Sequence, residues 1–177
     1  MELNMDNWKG FPLTGKMGRK GGLLIIKRGK TKRNKCISGD INYISASKFN
    51  NGITSKLADD GNVVKGGKIT ISNNGSVGAS FWQEDDFMCP GDVFYCEPNW
   101  DDYPDFIWNK NVGLFLCSIL KEMGKKYEWQ DKWILEKIDK DVIPLPVTPD
   151  GKPDYQFMED YINLMHDKCM SKIEKYL

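Results

Sequence analysis

Positive charge is concentrated in one short stretch near the beginning of the chain. Ten of the 25 basic residues fall within residues 1–35, which hold two acids, although the 177-residue chain has a formal net charge of zero. Ammonium and guanidinium groups at this density suit a phosphate backbone, so the stretch predicts contact with nucleic acid; the alternative is a solvated basic loop. The candidate phosphate contacts are Lys27, Arg28, Lys30, Lys32, Arg33 and Lys35.

Two polar turns contain side chains that could read bases. Asparagine amides can pair bidentately with adenine in the major groove of DNA. Asn-Gly pairs are also ordinary turn residues, because both tolerate positive φ, and the two roles can coexist. The candidates are Ser45, Ser47, Lys48, Asn50 and Asn51 in one turn and Asn73, Asn74 and Ser76 in the other.

Negative charge is concentrated in a different stretch. Residues 82–105 contain eight acids and no base. We expect a solvated face, which would repel DNA and so help to set its orientation.

Catalytic chemistry finds little support. Residues 10–17 nearly match a phosphate-binding loop, but Met17 stands where a hydroxyl must bind magnesium. Asp105 with Asp150 and Lys152 has the form of a metal-dependent nuclease site, in which magnesium would lie between the aspartates. Asp150-Gly151 between two prolines is more simply a turn. We therefore expect a binding protein without catalytic residues or cofactor.

The cysteines and the single histidine predict neither disulfides nor a metal site. Five cysteines are an odd number, and no two have Cys-x-x-Cys spacing, so we expect reduced thiols. The chain has no apolar run of about 18 residues and no leader-like start, which predicts a cytoplasmic protein. These residues are Cys36, Cys89, Cys96, Cys117, Cys169 and His166.

The hydrophobic pattern changes from strand-like to helical along the chain. Alternating or short apolar runs predict strands at 23–26, 41–45, 68–72, 77–82 and 93–96. Apolar spacing predicts a helix over 112–123 capped by Asn111, and a second over 128–140. An extended segment at 142–147 precedes a terminal helix capped by Asp154. The predicted class is α/β in the α+β sense, with a strand-rich domain over 1–150 and a projecting helix over 151–177.

Large apolar side chains have two predicted roles. Trp82, Trp108, Trp129 and Trp133 are assigned to the core rather than to stacking on bases. One side of the terminal helix is lined with apolar residues, which predicts pairing with a second copy. That line consists of Met158, Tyr161, Ile162, Met165, Cys169, Ile173 and Tyr176.

Three blocks in a fixed order resemble a known family. The first combines residues 27–30 with Gly-Asp-Ile-Asn-Tyr-Ile-Ser-Ala-Ser at 39–47 and Asn-Asn-Gly-Ile at 50–53. The second is the run at 67–78 followed by Phe-Trp-Gln at 81–83. The third comprises 114–116, Trp133, Ile-Pro-Leu-Pro at 143–146 and Asp-Gly-Lys-Pro-Asp at 150–154. Together they resemble the target recognition domain of type I restriction–modification specificity subunits, over roughly residues 8–165.

The resemblance implies a non-catalytic protein that reads double-stranded DNA and directs an adenine methyltransferase subunit. In full assemblies of that family a motor-nuclease subunit also joins. Usual members carry two recognition domains and two long helices, whereas this chain has one of each. We therefore expect a half-sized subunit or a fragment, acting as a homodimer on a bipartite site, in which the helix over 151–177 serves for dimerisation or for methyltransferase docking.

Two other functions remain open at this stage. One is a small magnesium-dependent nuclease. The other is a module that binds carbohydrate or protein through the Trp- and Asp-rich segment 82–108.

Overall fold

The computed structural model describes residues 5–15, 21–128 and 130–175, in which nine strands form three sheets. Their bounds are β1 Trp8–Pro12, β2 Leu24–Arg28, β3 Ser38–Ile44, β4 Ile53–Leu57, β5 Lys68–Ser72, β6 Ser80–Gln83, β7 Phe87–Met88, β8 Val93–Pro98 and β9 Val142–Pro146. The helices are α1 Lys110–Gly124, α2 Leu135–Ile138 and α3 Tyr155–Glu174. The predicted α+β class is confirmed.

The largest sheet has the antiparallel order β2-β8-β5-β6. A second sheet has the order β4-β3-β7, in which the β3–β4 hairpin is antiparallel and β7 is parallel to β3. β1 pairs with β9 in a separate antiparallel ribbon. All five predicted strands are present, with ends that differ by a few residues from the predicted ones.

Helix α1 packs its apolar face on the four-stranded sheet. Val112, Leu116 and Leu120 are fully buried in one cluster with Ile69 and Ile71 of β5. Burying each such side chain stabilises the fold by about 1.5–3 kcal/mol. The helix therefore supports strands β5 and β6, which lead into and out of the polar turn that holds Asn73, Asn74 and Ser76.

The N-cap of α1 is Asn109 rather than the predicted Asn111. The Oδ1 of Asn109 accepts a hydrogen bond from the amide of Val112 at 3.0 Å, and its backbone is extended. Asn111 lies inside the first turn, where its amide donates to Asn163 of α3 at 2.7 Å. Two asparagines two residues apart are equivalent in a sequence pattern, and only the backbone geometry separates them.

The helix predicted over residues 128–140 was wrong for most of its length. Only Leu135–Ile138 is helical. The aromatic spacing has another cause: Trp133 is fully buried, donates its indole N–H to Asp141 at 2.6 Å, and stacks on Tyr127. The pattern therefore reflects a loop closed around a buried carboxylate.

Of the four tryptophans assigned to the core, the three that the structure describes belong to it. Trp82 and Trp133 are buried, and Trp108 packs against the same cluster and donates to the carbonyl of Gly67 at 2.7 Å. Trp129 lies outside the described residues.

Helix α3 begins where predicted, because Asp154 accepts from the amide of Phe157 at 2.9 Å. Its first turns join the core: Tyr155 and Met158 are buried together with residues of β9 and α1. From His166 to Lys175 every residue is exposed. No helix in the described part of the chain is long and apolar enough to cross a membrane.

Candidate nucleic-acid interface

The first polar turn, residues 45–52, joins β3 to β4 and has an unusual backbone. Asn50, Asn51 and Gly52 have φ values of 47°, 51° and 78°, three left-handed residues in succession. A left-handed conformation costs a residue other than glycine about 1–2 kcal/mol, and asparagine bears it best. The side-chain amide of Asn50 donates to the backbone carbonyl of Ile53 at 3.1 Å, which closes the turn. The predicted turn is confirmed, and its strain marks a shape that the surrounding structure must hold.

The second polar turn, residues 73–79, joins β5 to β6 and lies against the first. The amide of Ser76 donates to the carbonyl of Ala46 at 3.2 Å. Gly75 approaches so closely that a Cβ there would lie 2.9 Å from the same carbonyl oxygen. The two turns, called the paired turns below, thus meet although they belong to different sheets.

The basic segment, residues 27–35, reaches the paired turns through the loop at 89–92. The amide of Gly29 donates to Val93 and that of Thr31 to Cys89, both at 3.0 Å. On its other side the loop accepts from Asn73, whose backbone amide is 3.1 Å from the carbonyl of Asp92. Phosphate-contacting and base-reading candidates therefore lie along one continuous series of contacts.

Cations of the basic segment differ in how firmly they are held. Lys30, Lys32 and Lys35 are exposed and make no ion pair with a described acid. Arg28 lies over the ring of Phe94, and Arg33 bonds to Ser55 across the β3–β4 hairpin. Arg33 thereby links the end of the basic segment to the hairpin that carries the first turn.

Lys27 has a structural role at the base of the segment. Its ammonium and that of Lys68 both bind the half-buried carboxylate of Glu97, the latter at 2.7 Å. Burial opposes ionisation of Glu97, but the hydrogen bonds and charges of the two lysines together hold its pKa below the usual value. Lys27 is half exposed and shares its charge with this carboxylate.

Some candidate base contacts face inward. Asn73 is buried, and its amide donates to the carbonyl of Gly91 at 3.4 Å. The hydroxyl of Ser47 accepts from the amide of Phe49 at 3.2 Å. These two residues shape the turns, whereas Lys48, Asn50 and Asn51 are exposed. Ser45, Asn74 and Ser76 are half-buried beside them.

Phe49 is a surface feature that the sequence pattern did not single out. Its side chain is 71% exposed at the tip of the first turn, between Lys48 and Asn50. A large aromatic residue directly before Asn-Asn-Gly was the available signal. Its exposure gives the turn an apolar contact surface as well as amides.

The acids of the acidic stretch are largely exposed, as expected, and several of them form ion pairs with lysines. Asp86 binds Lys65 at 2.7 Å, and Glu84 binds Lys110 at 3.1 Å. The lysines beside Asp86 and Glu84 lower the pKa of both carboxyls. Asp92 is also exposed, within the loop that joins the basic segment to the second turn.

The residues of the nuclease hypothesis form a turn. Lys152 lies 3.4 Å from a carboxylate oxygen of Asp105, and Asp150 accepts from the hydroxyl of Thr148. Within the described residues no three acids, cysteines or histidines group as metal ligands. The hydrogen bonds around Asp150 and the positive φ of Gly151 match the turn interpretation of Asp150-Gly151.

The five cysteines are free thiols. Burial raises the pKa of Cys89 and of Cys117 to about 12, and it raises that of Cys96 well above the usual value. These three side chains pack in the interior, and Cys169 is exposed on α3.

The apolar line of the terminal helix divides into two parts. Met158 is fully buried in this chain's own core, and Tyr161 and Ile162 pack against that core. Met165 is half-buried, whereas Cys169 and Ile173 are exposed. Tyr176 lies outside the described residues. Met158 is therefore unavailable to a second copy, and the distal residues remain candidates.

Known proteins share this sequence pattern and fold. The type I restriction modification DNA specificity domain matches residues 13–175. The specificity subunit S.BcgI of a type II restriction enzyme from Heyndrickxia coagulans is 31% identical over 134 residues, 76% of this chain and 38% of that protein.

Two solved structures share the fold at low sequence identity. The HsdS subunit from Thermoanaerobacter tengcongensis has a TM-score of 0.58 at 13% identity, covering all of this chain and 41% of its own. The S subunit of a type I restriction-modification system from M. genitalium has a TM-score of 0.56 at 18% identity, covering 87% and 39%. The chain thus spans about two fifths of the length of these relatives, and it belongs to the family of type I restriction modification DNA specificity domains.

Proposed function

We propose that this chain is a sequence-reading DNA module of a restriction–modification system, without catalytic activity of its own. The observation that carries the proposal is the continuous surface formed by the basic segment, the loop at 89–92 and the paired turns. Exposed cations can hold phosphates along that surface, and exposed amides can reach base edges. Because its ligand would be cellular DNA, we expect the protein in the cytoplasm.

The proposal is tested by binding fluorescent random-sequence duplexes, followed by selection from a duplex library. We expect binding that weakens steeply with salt, and an enriched motif after selection. Binding without any enriched motif would contradict sequence reading. Failure to bind duplex DNA at low salt would contradict the proposal as a whole.

The partner in this proposal is an adenine methyltransferase subunit that the chain directs to its site, with a motor-nuclease subunit joining in full assemblies. S.BcgI, named as the specificity subunit of a restriction enzyme, supports the general arrangement. Coexpression with an adenine methyltransferase subunit of the same restriction–modification system should yield a complex that modifies one defined motif. Methylation that stays the same when this chain is omitted would contradict the assignment.

We further propose that two copies pair through the distal half of α3. The described helix has 20 residues and would span about 30 Å. Cys169 and Ile173 lie four residues apart and share a face. A two-fold dimer would place identical surfaces on opposite strands, so the target should be an interrupted palindrome.

Light scattering of the intact chain tests the pairing. Ile173→Asn should shift the dimer toward monomer, because it places an amide in an apolar contact. Ser171→Asn is the matched control, since Ser171 is also exposed but lies on the opposite side of the helix from Ile173. A wild-type chain that is monomeric at high micromolar concentration would contradict pairing.

A further inference from the structure

A buried amide from a neighbouring strand lies directly beneath the first turn. Gln83, the last residue of β6, is 4% exposed. Its Nε2 donates to the backbone carbonyl of Asn51 at 3.0 Å and to the hydroxyl oxygen of Thr70 at 2.9 Å. Both donor hydrogens of the amide are thereby used, one of them on the turn.

Thr70 fixes the orientation of the Gln83 amide. Thr70, on β5, donates its own hydroxyl hydrogen to the carbonyl of Phe81 at 3.3 Å, so its oxygen lone pairs face Gln83. Thr70 is itself 2% exposed. Phe81, Thr70, Gln83 and Asn51 therefore form one chain of hydrogen bonds that runs from the four-stranded sheet to the turn.

The turn needs such a support because its backbone is strained. Asn51 is the middle one of three left-handed residues, and its carbonyl is the atom that Gln83 binds. A chain that could relax would leave this conformation, since asparagine prefers negative φ. The side chains of Asn50 and Asn51 would then point in other directions.

The bond also crosses between two sheets. The first turn belongs to the β3–β4 hairpin, whereas Gln83 and the second turn belong to the sheet of β5 and β6. The contact of Ser76 with Ala46 joins the paired turns directly, and Gln83 joins the first turn to the sheet that carries the second. The spacing between the two sets of amides is thus held at two points.

We propose that Gln83 is a positioning residue for base reading: it touches no DNA itself, but it fixes the direction in which Asn50 and Asn51 meet base edges. This inference rests on the proposed function. It assigns sequence preference to a residue that is buried and uncharged.

The test is selection from a random duplex library with the intact wild-type chain and with Gln83→Met. Methionine keeps the length of the side chain and removes both donors. We expect the variant to lose preference at the base positions read by the first turn, by roughly tenfold, the lower range of one bidentate contact. Affinity for random duplexes and its salt dependence should stay as in wild type, because no cation changes.

A second pair of variants guards against a simple loss of folding. Thr70→Val removes the hydroxyl that orients Gln83, and Thr70→Ser retains it. We expect the valine variant to lose preference at the same base positions and the serine variant to keep it. Ile71→Val, a truncation of a fully buried neighbour on β5, should lower thermal stability without changing the motif.

The outcomes separate the two proposals. If the wild-type chain enriches no motif, the proposed function fails and this inference fails with it. If the wild-type chain enriches a motif and both Gln83→Met and Thr70→Val enrich it with unchanged preferences, only the positioning role is overturned. An equal loss in Ile71→Val would also overturn it, because general destabilisation would then explain the effect.

Discussion

The basic segment and the paired turns are neighbouring loops, yet they are constructed in opposite ways. In the basic segment three lysines extend into solvent without a described ion pair, and the backbone needs only a single 3-10 turn at Arg33–Lys35. In the first turn the backbone is strained and its central carbonyl is held by a buried amide. Attraction between a cation and a phosphate tolerates a mobile side chain, whereas a bidentate contact with a base does not. The difference indicates a division between affinity and sequence preference.

The largest effect should come from removing charge from the basic segment. For the triple variant Lys30→Ala, Lys32→Ala and Lys35→Ala we expect weaker binding to all duplexes. The slope of log affinity against log salt should become shallower by about 0.9 per lost phosphate contact, so by about 2.7 for three. Fluorescence anisotropy over a salt series measures both quantities.

A matched variant removes the same charge elsewhere. Lys125, Lys137 and Lys152 are each bound to a nearby acid, and their replacement by alanine should leave the salt slope nearly unchanged. Equal slopes for the two triple variants would show that the DNA surface lies elsewhere.

The next largest effect should come from the exposed amide of the first turn. Asn51→Gly removes the side chain while accepting the φ of 51°, so the backbone can remain in place. We expect a loss of about 1–3 kcal/mol for the preferred sequence and none for random duplexes. Competition binding between the two kinds of DNA measures it.

An asparagine-to-glycine change in the basic segment is the matched control for Asn51→Gly. Asn34 is exposed within the 3-10 turn, and Asn34→Gly should leave the preferred motif intact. A change of motif in Asn34→Gly, or none in Asn51→Gly, would contradict the division between the two regions.

A smaller effect is expected from the exposed aromatic of the first turn. Phe49→Ala should weaken binding to DNA by about 1 kcal/mol, as expected for an apolar side chain that binding would partly bury. The salt slope should not change, because the ring is uncharged. Ile37→Ala is the control, since Ile37 is 75% exposed beside the basic segment. Similar losses in both variants would argue against a specific contact of Phe49.

The smallest effect concerns Glu97, the carboxylate that binds Lys27 at the start of the basic segment. Glu97 has a lowered pKa, so its ionised form stabilises the fold above its unfolded pKa. That contribution is lost as pH falls through the lowered folded value. We expect less than about 1 kcal/mol of unfolding free energy to disappear in this window, since the group is partly solvated.

Urea unfolding near pH 6 and near pH 3 measures that contribution. Glu97→Gln should reduce the difference in unfolding free energy between the two pH values, and Glu122→Gln, which removes a carboxylate from an exposed pair with Lys125, is the charge-matched control. If wild type and Glu97→Gln show the same change in unfolding free energy between the two pH values, the ion pairs of Glu97 do not stabilise the fold.

Local patterns were sufficient for much of the fold. The strands at β2, β3, β5, β6 and β8, both polar turns, helix α1 and the Asp154 cap all follow from periodicity and turn chemistry within a few residues. β1 was missed because Gly10 and Pro12 interrupt a short half-exposed strand, whose pairing with β9 bridges more than 130 residues. Trp133 suggested a helix where its burial against Asp141 produces a loop.

In the candidate site, too, some features follow from the sequence and others only from the tertiary structure. The sequence by itself determined which side chains carry charge or amides and which segments turn, since these depend on residue type and on near neighbours. Only the tertiary structure decided that the two turns meet, that Asn73 and Met158 face inward, and that Phe49 faces solvent. It also decided that Gln83, an ordinary strand residue in the sequence, supports the strained turn 32 positions away. Such contacts join residues on different sheets, and no local spacing encodes how two sheets pack together.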